Sequence, residues 1–305
     1  MNLENKRLIV IVGPTAVGKT ALAIELAQAL GTEIISADSR QFYSEMTIGT
    51  AKPTGDELAV VRHHFIDSHS ILQKYDAAQF GEDALMKVYE LFEKHDSVIV
   101  CGGSGLYVKA LLEGFDDIPE VPEEIREMVT EKYKAGGLPW LQQQVQKHDP
   151  EYYNVADQQN PARLSRALEV VLATGSSITS FQKRQKRVLP FKVIKIGLEL
   201  EREELYRRID ERMDAMIEAG LFEEAEKLYP YREHNALQTV GYREIFDFME
   251  GKYDREEAIR LLKRNSRRYA KRQLTWFKRE GEIRWFSRTT VEDIFAYLRV
   301  LGNAI

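Results

Sequence analysis

A chain of 305 residues with 44% apolar and 30% charged residues is long enough to bury a full core and too evenly mixed to be disordered. Its single cysteine, Cys101, excludes an internal disulfide, and the six histidines show no Cys/His spacing of a zinc site, which fits a reducing compartment. The net charge of −5 argues against a uniformly basic nucleic-acid binder, yet ten Lys/Arg against two Glu give residues 255–279 a charge of +8 and leave −5 − 8 = −13 for the rest.

No cleavable leader precedes the first apolar run, and no apolar stretch approaches the ~20 residues that span a bilayer. The chain therefore reads as cytoplasmic, with no membrane partner. Apolar runs at 8–12, 33–36, 64–66, 97–101 and 193–200 have the look of buried parallel strands with helical patterns between them, an α/β class with a P-loop NTPase-like parallel sheet.

The first run leads into Gly13-Pro14-Thr15-Ala16-Val17-Gly18-Lys19-Thr20 and then a helix over 21–30. This is the G-x-x-x-x-G-K-[ST] pattern in its required strand–loop–helix setting. Backbone N–H groups of such a loop converge on phosphate oxygens, the helix N-terminus adds positive potential, Lys19 supplies a cation and Thr20 can ligate Mg²⁺. A chance glycine turn is the bland alternative.

The second run opens into Ser36-Ala37-Asp38-Ser39-Arg40-Gln41-Phe42-Tyr43, which puts Asp38 at the same sheet edge. A carboxylate there can take a proton from a nucleophile; an isolated Asp is more often a helix cap or a metal-water ligand. After the third run, Asp67 is a second candidate for a metal-linked carboxylate. The fourth run ends in Cys101 and continues as Gly102-Gly103-Ser104-Gly105, with no acid where ATP- and GTP-hydrolysing P-loop proteins hold their metal. The glycine turn offers further amides at the ligand-binding edge, or is a plain tight turn, and Ser104 could touch phosphate or acceptor.

The long gap before the run at 193–200 implies an insertion at residues 119–190, between core segments 1–118 and 191–305. Helical patterns at 123–133 and 163–174, with turns at Gly136-Gly137 and Asn160-Pro161, make it an all-helical lid. Beyond it, 201–278 is mostly helical, followed by an apolar run at 283–286 and a last helix from about 291. Within 255–279, Ile259, Leu262, Tyr269 and Trp276 share one face, and Arg260, Arg264, Arg267 and Lys271 another. The basic face reads as a solvated surface or, given how few acids lie within the segment, as a phosphate-contacting one.

In order along the chain stand GPTAVGKT from Gly13, DSRQFY from Asp38, IGTAKPT from Ile48 and HHFID from His63. GGSGLYVKALLEG follows from Gly102, RLSRALEV from Arg163, VGYREI from Val240 and AKRQLTWFKR from Ala270. As a set they resemble the tRNA dimethylallyltransferases of bacterial type. The resemblance implies transfer of a dimethylallyl group from dimethylallyl diphosphate to N6 of adenine 37, beside the anticodon of tRNAs that read codons beginning with U. It implies Asp38 as the base, Thr20 as the group holding the diphosphate with Mg²⁺, and Arg212 as a neutraliser of the leaving group, although a helix arginine amid charged neighbours is by default solvated or ion-paired.

The resemblance also assigns contacts with the tRNA anticodon stem-loop to Asp38, Ser39, Arg40, Gln41, Ser104, Arg126, Arg163, Arg166, Gln238, Gly241, Tyr242, Arg243, Lys271 and Arg272. It implies a monomer without the zinc-finger tail of eukaryotic relatives. Two positions depart from the family pattern: Ser104 where threonine is usual, and Asn160 where aspartate is frequent. Two other classes remain, a P-loop small-molecule or nucleotide kinase and a non-catalytic RNA-binding module with a nucleotide switch.

Overall fold

The computed structural model describes residues 2–182, 186–287 and 290–301. In chain order the elements are β1 (Arg7–Val12), α1 (Lys19–Leu30), β2 (Ile34–Ser36), α2 (Gly55–Val60), β3 (His63–His64), α3 (Ala77–Phe92), β4 (Ser97–Gly102), α4 (Gly105–Glu113) and α5 (Glu123–His148). Then follow α6 (Pro150–Val155), α7 (Pro161–Thr174), β5 (Lys192–Glu199), α8 (Arg202–Glu218), α9 (Leu221–Leu228), α10 (Arg243–Met249), α11 (Arg255–Arg279), β6 (Ile283–Ser287) and α12 (Val291–Val300).

One parallel sheet of order β3-β2-β4-β1-β5-β6 organises the described core. β1 lies at its centre, and all of its residues from Leu8 to Val12 are buried. Alternation sends Leu8, Val10 and Val12 into one apolar layer and Ile9 and Ile11 into the other. Each such side chain contributes about 1.5–3 kcal/mol by leaving water, which fixes the register that carries the loop after β1. The run at 283–286 joins the sheet as an edge strand parallel to β5.

β3 is shorter than its apolar run. Phe65 and Asp67 have φ of 62° and 51°, so the backbone turns out of the strand just after His64. The Asp67 carboxylate is ion-paired with Lys52, which also donates to the Tyr43 carbonyl at 2.6 Å. Asp67 therefore braces a loop and does not line the cavity described below, which removes it as a metal-linked carboxylate of that cavity.

Chain contacts divide the molecule into two compact units, one of residues 1–112 and 188–305, the other of residues 113–187. The second starts earlier than Pro119. In the second unit α5 is interrupted at Gly137 (φ 64°, ψ −164°), so the pattern at 123–133 runs on past the Gly136-Gly137 turn as a second helical stretch. Asn160 accepts the Arg163 N–H at 3.2 Å ahead of Pro161, a capped helix start in which an amide oxygen serves as well as a carboxylate. Val129, Leu141, Val145, Leu164 and Leu168 form this unit's own buried core.

Candidate active site

The loop after β1 ends in a bare helix N-terminus. Gly18 at the N-cap of α1 offers no side chain, and the first-turn amides are left for an anion. Ala16 adopts φ 64°, the alternation of backbone hand that turns successive N–H groups to one side. Lys19 Nζ donates to the Pro14 carbonyl at 2.7 Å, so the cation is folded over its own loop. Burial lowers its pKa to about 8, with Arg212 adding to the effect and Cys101 and Asp38 opposing it.

The loop forms one wall of a cavity of about 160 Å³ within the first unit. Thr15, Lys19, Thr20, Asp38, Arg40, Gln41, Gly49, Thr50, Ala51, Cys101, Gly102, Gly103 and Arg212 line it. So do Ile209, Met213, Met216, Thr239, Val240, Gly241, Tyr269 and Gln273. Segments distant in sequence thus converge at the C-terminal edge of the parallel strands, where α/β sheets present ligand sites.

Asp38 Oδ1 accepts the N–H groups of Arg40 at 2.9 Å and Gln41 at 3.3 Å, a tight turn that fixes the carboxylate at the rim of the cavity. Among the described residues Oδ2 has no hydrogen-bond partner, so it is the oxygen able to take a proton. The adjoining Ser39 N–H donates to Ser104 Oγ at 2.9 Å, and Ser104 is itself buried. The Ser104 hydroxyl thus holds the segment after Asp38.

Arg212 is half-buried on α8. Its guanidinium donates to the Ala51 carbonyl at 3.1 Å and approaches Thr15 Oγ1 at 3.4 Å, beside the phosphate loop. Burial lowers its pKa and the Asp38 carboxylate works against that. Ile209, Met213 and Met216 share its cavity-facing side at helical spacing and give the cavity an apolar wall. Tyr269 is the aromatic residue of the lining that the sequence could not single out, and burial followed by Asp38 pushes its phenol up to about 12.

Cys101 stands at the end of β4, paired in register with Ile11 and Ser36. Burial pushes its thiol up to about 11, so it is neutral at physiological pH and supplies no metal-binding charge. Among the described residues no group of three or more His, Cys, Asp or Glu is placed to hold a metal ion.

Gln273 does not stand out in the sequence. It is 7% exposed on α11, accepts the Thr15 N–H at 2.8 Å through Oε1 and donates to the Gly103 carbonyl at 3.0 Å through Nε2. A Cβ on Gly103 would overlap this amide, which explains why glycine stands there. One side chain thus ties both glycine-containing loops together. Gln273→Ala is expected to lower unfolding free energy by about 1–3 kcal/mol, since the Gly103 carbonyl loses its partner in a buried place. Urea denaturation with an unchanged m-value is the check.

Part of the basic charge of α11 is neutralised, three of its cations by acids from other segments and one by its own Glu257. Arg267 pairs with Asp210 and Lys263 with Asp214, both at 2.6 Å from α8, Lys278 pairs with Glu199, and Arg260 pairs with Glu257 at 2.6 Å. Lys271 and Arg272 remain exposed and make no ion pair among the described residues. Trp276 is 36% exposed, and its indole packs against Gly105 so closely that a Cβ there would overlap it.

Of the other expected tRNA contacts, Arg40, Gln41 and Gly241 line the cavity, and Arg243 is exposed. Gln238 is also exposed and donates to the Arg232 carbonyl. Tyr242 is 0% exposed with its hydroxyl on Glu224 at 2.6 Å, so it has no surface to offer an RNA and acts inside the core. Arg126, Arg163 and Arg166 lie in the second unit. Arg163 is exposed, Arg166 lies 3.8 Å from Glu169, and the buried Nε of Arg126 has no hydrogen-bond partner among the described residues.

A model of the IPP transferase family matches residues 41–280. A protein of Cytophaga hutchinsonii called tRNA dimethylallyltransferase is 52% identical over 298 residues, covering 98% of each chain. A namesake from Christiangramia forsetii is 52% identical over 292 residues, covering 95% of this chain and 97% of its own. The crystal structure of a tRNA isopentenylpyrophosphate transferase from Bacillus halodurans superposes with a TM-score of 0.71 at 38% identity, covering 97% of this chain and 96% of its own.

Proposed function

Since the chain belongs to the IPP transferase family, we propose that it moves the dimethylallyl group of dimethylallyl diphosphate onto N6 of adenine 37 in the anticodon stem-loop of tRNAs reading codons that begin with U. The observation that carries this reading is the convergence of Lys19, Thr20 and Arg212 with Asp38 on one cavity that also has an apolar wall. A kinase would place a second metal-binding acid at the end of β4, where Cys101 stands instead.

The residues divide by charge. The diphosphate lies against the uncapped N-terminus of α1 and Lys19, with Arg212 at its flank, so the charge that grows on the departing oxygen meets preorganised cations. The five-carbon chain rests on Ile209, Met213 and Met216. Adenine enters from the side of Asp38 with Tyr269 as its wall, because a base taken out of its stack is held by an aromatic or apolar surface. The new N6–C1 bond forms as the C1–O bond breaks, the electron pair leaves with the diphosphate, and the N6 proton passes to Asp38 Oδ2.

The donor set suits a Mg²⁺ ion that arrives on the diphosphate, since such ions keep most of their waters and use one or two protein oxygens. Thr20 would hold it, and it would supply charge neutralisation of the leaving group. A monomer is the proposed working unit. Among the described residues no helix is long and apolar enough to cross a membrane, and a tRNA substrate with a lone thiol fits the cytoplasm.

Asp38, Ser39, Arg40, Gln41, Gln238, Gly241, Arg243, Lys271 and Arg272 form the proposed tRNA-facing set of the first unit, with Tyr242 and Ser104 acting from behind it. Arg126, Arg163 and Arg166 form that of the helical insertion. Lys271→Ala or Arg272→Ala is expected to weaken tRNA binding and to flatten its log–log salt dependence by up to ~1 unit per lost phosphate contact. Filter binding across a salt series checks this, and an unaltered slope removes the residue from the phosphate-contacting set.

Lys19 is a cation below about pH 8 in the free enzyme and neutral above it. The Michaelis constant for the donor is therefore expected to climb as pH rises through about 8, by up to about tenfold per unit, and Lys19→Arg should abolish the inflection. Incubation of the protein with labelled dimethylallyl diphosphate, a stem-loop carrying adenine 37 and Mg²⁺ tests the reaction itself. Label on N6 is the expected outcome; turnover of ATP with no label in RNA would support the kinase.

A further inference from the structure

Residues 49–51 and 239–241 line the cavity, and one acid grips both the chain that leads into the first segment and the Tyr242 that follows the second. Glu224, half-buried on α9, accepts the N–H groups of Thr47 at 3.0 Å and Ile48 at 2.8 Å through Oε2. Its Oε1 accepts the Gly49 N–H at 2.8 Å and the Tyr242 hydroxyl at 2.6 Å. Three consecutive amides and a buried phenol thus converge on one carboxylate. The Tyr242 ring packs on Gly49 so closely that a Cβ there would overlap it.

This clasp has a consequence inside the cavity. The loop it grips reaches Ala51 with φ 47°, a left-handed conformation that an alanine adopts only when its surroundings impose it. The Ala51 carbonyl accepts from Arg212 at 3.1 Å and from Gln41 Nε2 at 3.2 Å. The carboxylate on one side of the loop therefore fixes where the carbonyl on the other side holds the guanidinium.

We infer that Glu224 is a positioning residue for group transfer, setting the place of Arg212 through the 47–51 loop without touching either substrate. The inference rests on the proposed role of Arg212 at the leaving diphosphate. Glutamine at this position presents one oxygen and one NH₂ to a ring of four donors, so part of the clasp opens while the side-chain volume is kept. A displacement of about 1 Å in a charge-stabilising group costs about a hundredfold in rate at most, and a smaller shift correspondingly less.

The test is a double-mutant cycle read in single-turnover transfer, with saturating substrates and equal folded protein: wild type, Glu224→Gln, Arg212→Ala and the pair. Glu224→Gln is expected to slow transfer about ten- to a hundredfold in the wild-type background and to have little further effect once Arg212 is gone. Tyr242→Phe, which deletes one bond of the clasp, is expected to give a smaller loss that also vanishes in the Arg212→Ala background. It carries the test should Glu224→Gln fail to fold.

Equal losses with and without Arg212 would overturn the inference and mark Glu224 as structural, as would full activity of both single variants of the clasp. If Arg212→Ala alone transfers at the wild-type rate, the reading of Arg212 falls first and the inference with it. That outcome is separable, because it appears before Glu224 is altered.

Discussion

Asp38→Asn is expected to slow transfer by about 10²–10⁴-fold while tRNA affinity stays close to wild type, the scale on which a positioned general base contributes. Asparagine is the sharper substitution because of what Asp38 already does. Its Oδ1 receives the Arg40 and Gln41 amides, and an asparagine oxygen can accept both, so the turn survives while the oxygen that takes the N6 proton becomes an NH₂. Asp38→Ala removes base and turn together. Rapid-quench measurement of one turnover separates chemistry from tRNA binding, and an asparagine variant that transfers normally would reduce Asp38 to a turn-former.

Lys19→Ala is expected to slow transfer by about 10²–10³-fold, the usual loss when one preorganised donor to a developing negative charge is removed. The donor Michaelis constant should rise as well, since the same ammonium meets the diphosphate before and during bond breaking. Lys19 is half-buried and its pKa is lowered to about 8, so it carries its charge with a desolvation cost that an arriving anion offsets. Single-turnover rates over a donor titration give both numbers. A variant that alters donor affinity alone would confine Lys19 to binding.

The sheet and the phosphate loop were readable from the chain because they are local. Strand, glycine pattern and helix follow one another within residues 7–30, and the unbroken apolar run from Leu8 to Val12 announces burial on both faces. Asp38 was readable for the same reason, as the first acid after a buried strand. The partners of the basic helix were not, because Asp210 and Asp214 lie on α8, far away in sequence. Counting charge within one segment therefore overstated its free positive charge.

Arg212 shows the same limit in reverse. Its charged neighbours suggested a surface position, yet Ile209, Met213 and Met216 recur at helical spacing around it, and that stripe was the available sign that this side of α8 turns inward. Gln273 and Glu224 left no local trace at all. The Gln273 bridges to Thr15 and Gly103 span 258 and 170 residues, and the Glu224 bonds to residues 47–49 span 175 to 177, so only the folded chain brings donor and acceptor together. The resemblance placed Tyr242 at the RNA, whereas its ring packs against Gly49.

Everything turns on donor and acceptor meeting between the phosphate loop and Asp38. A crystal structure of the protein with a non-hydrolysable thio-analogue of dimethylallyl diphosphate and an anticodon stem-loop addresses this most directly. The diphosphate should rest on Lys19 and Thr20 with Arg212 beside it, and adenine N6 should lie within ~3 Å of Asp38 Oδ2. A diphosphate bound away from Lys19, or an adenine whose N6 faces another residue with Asp38 turned from it, would contradict the account.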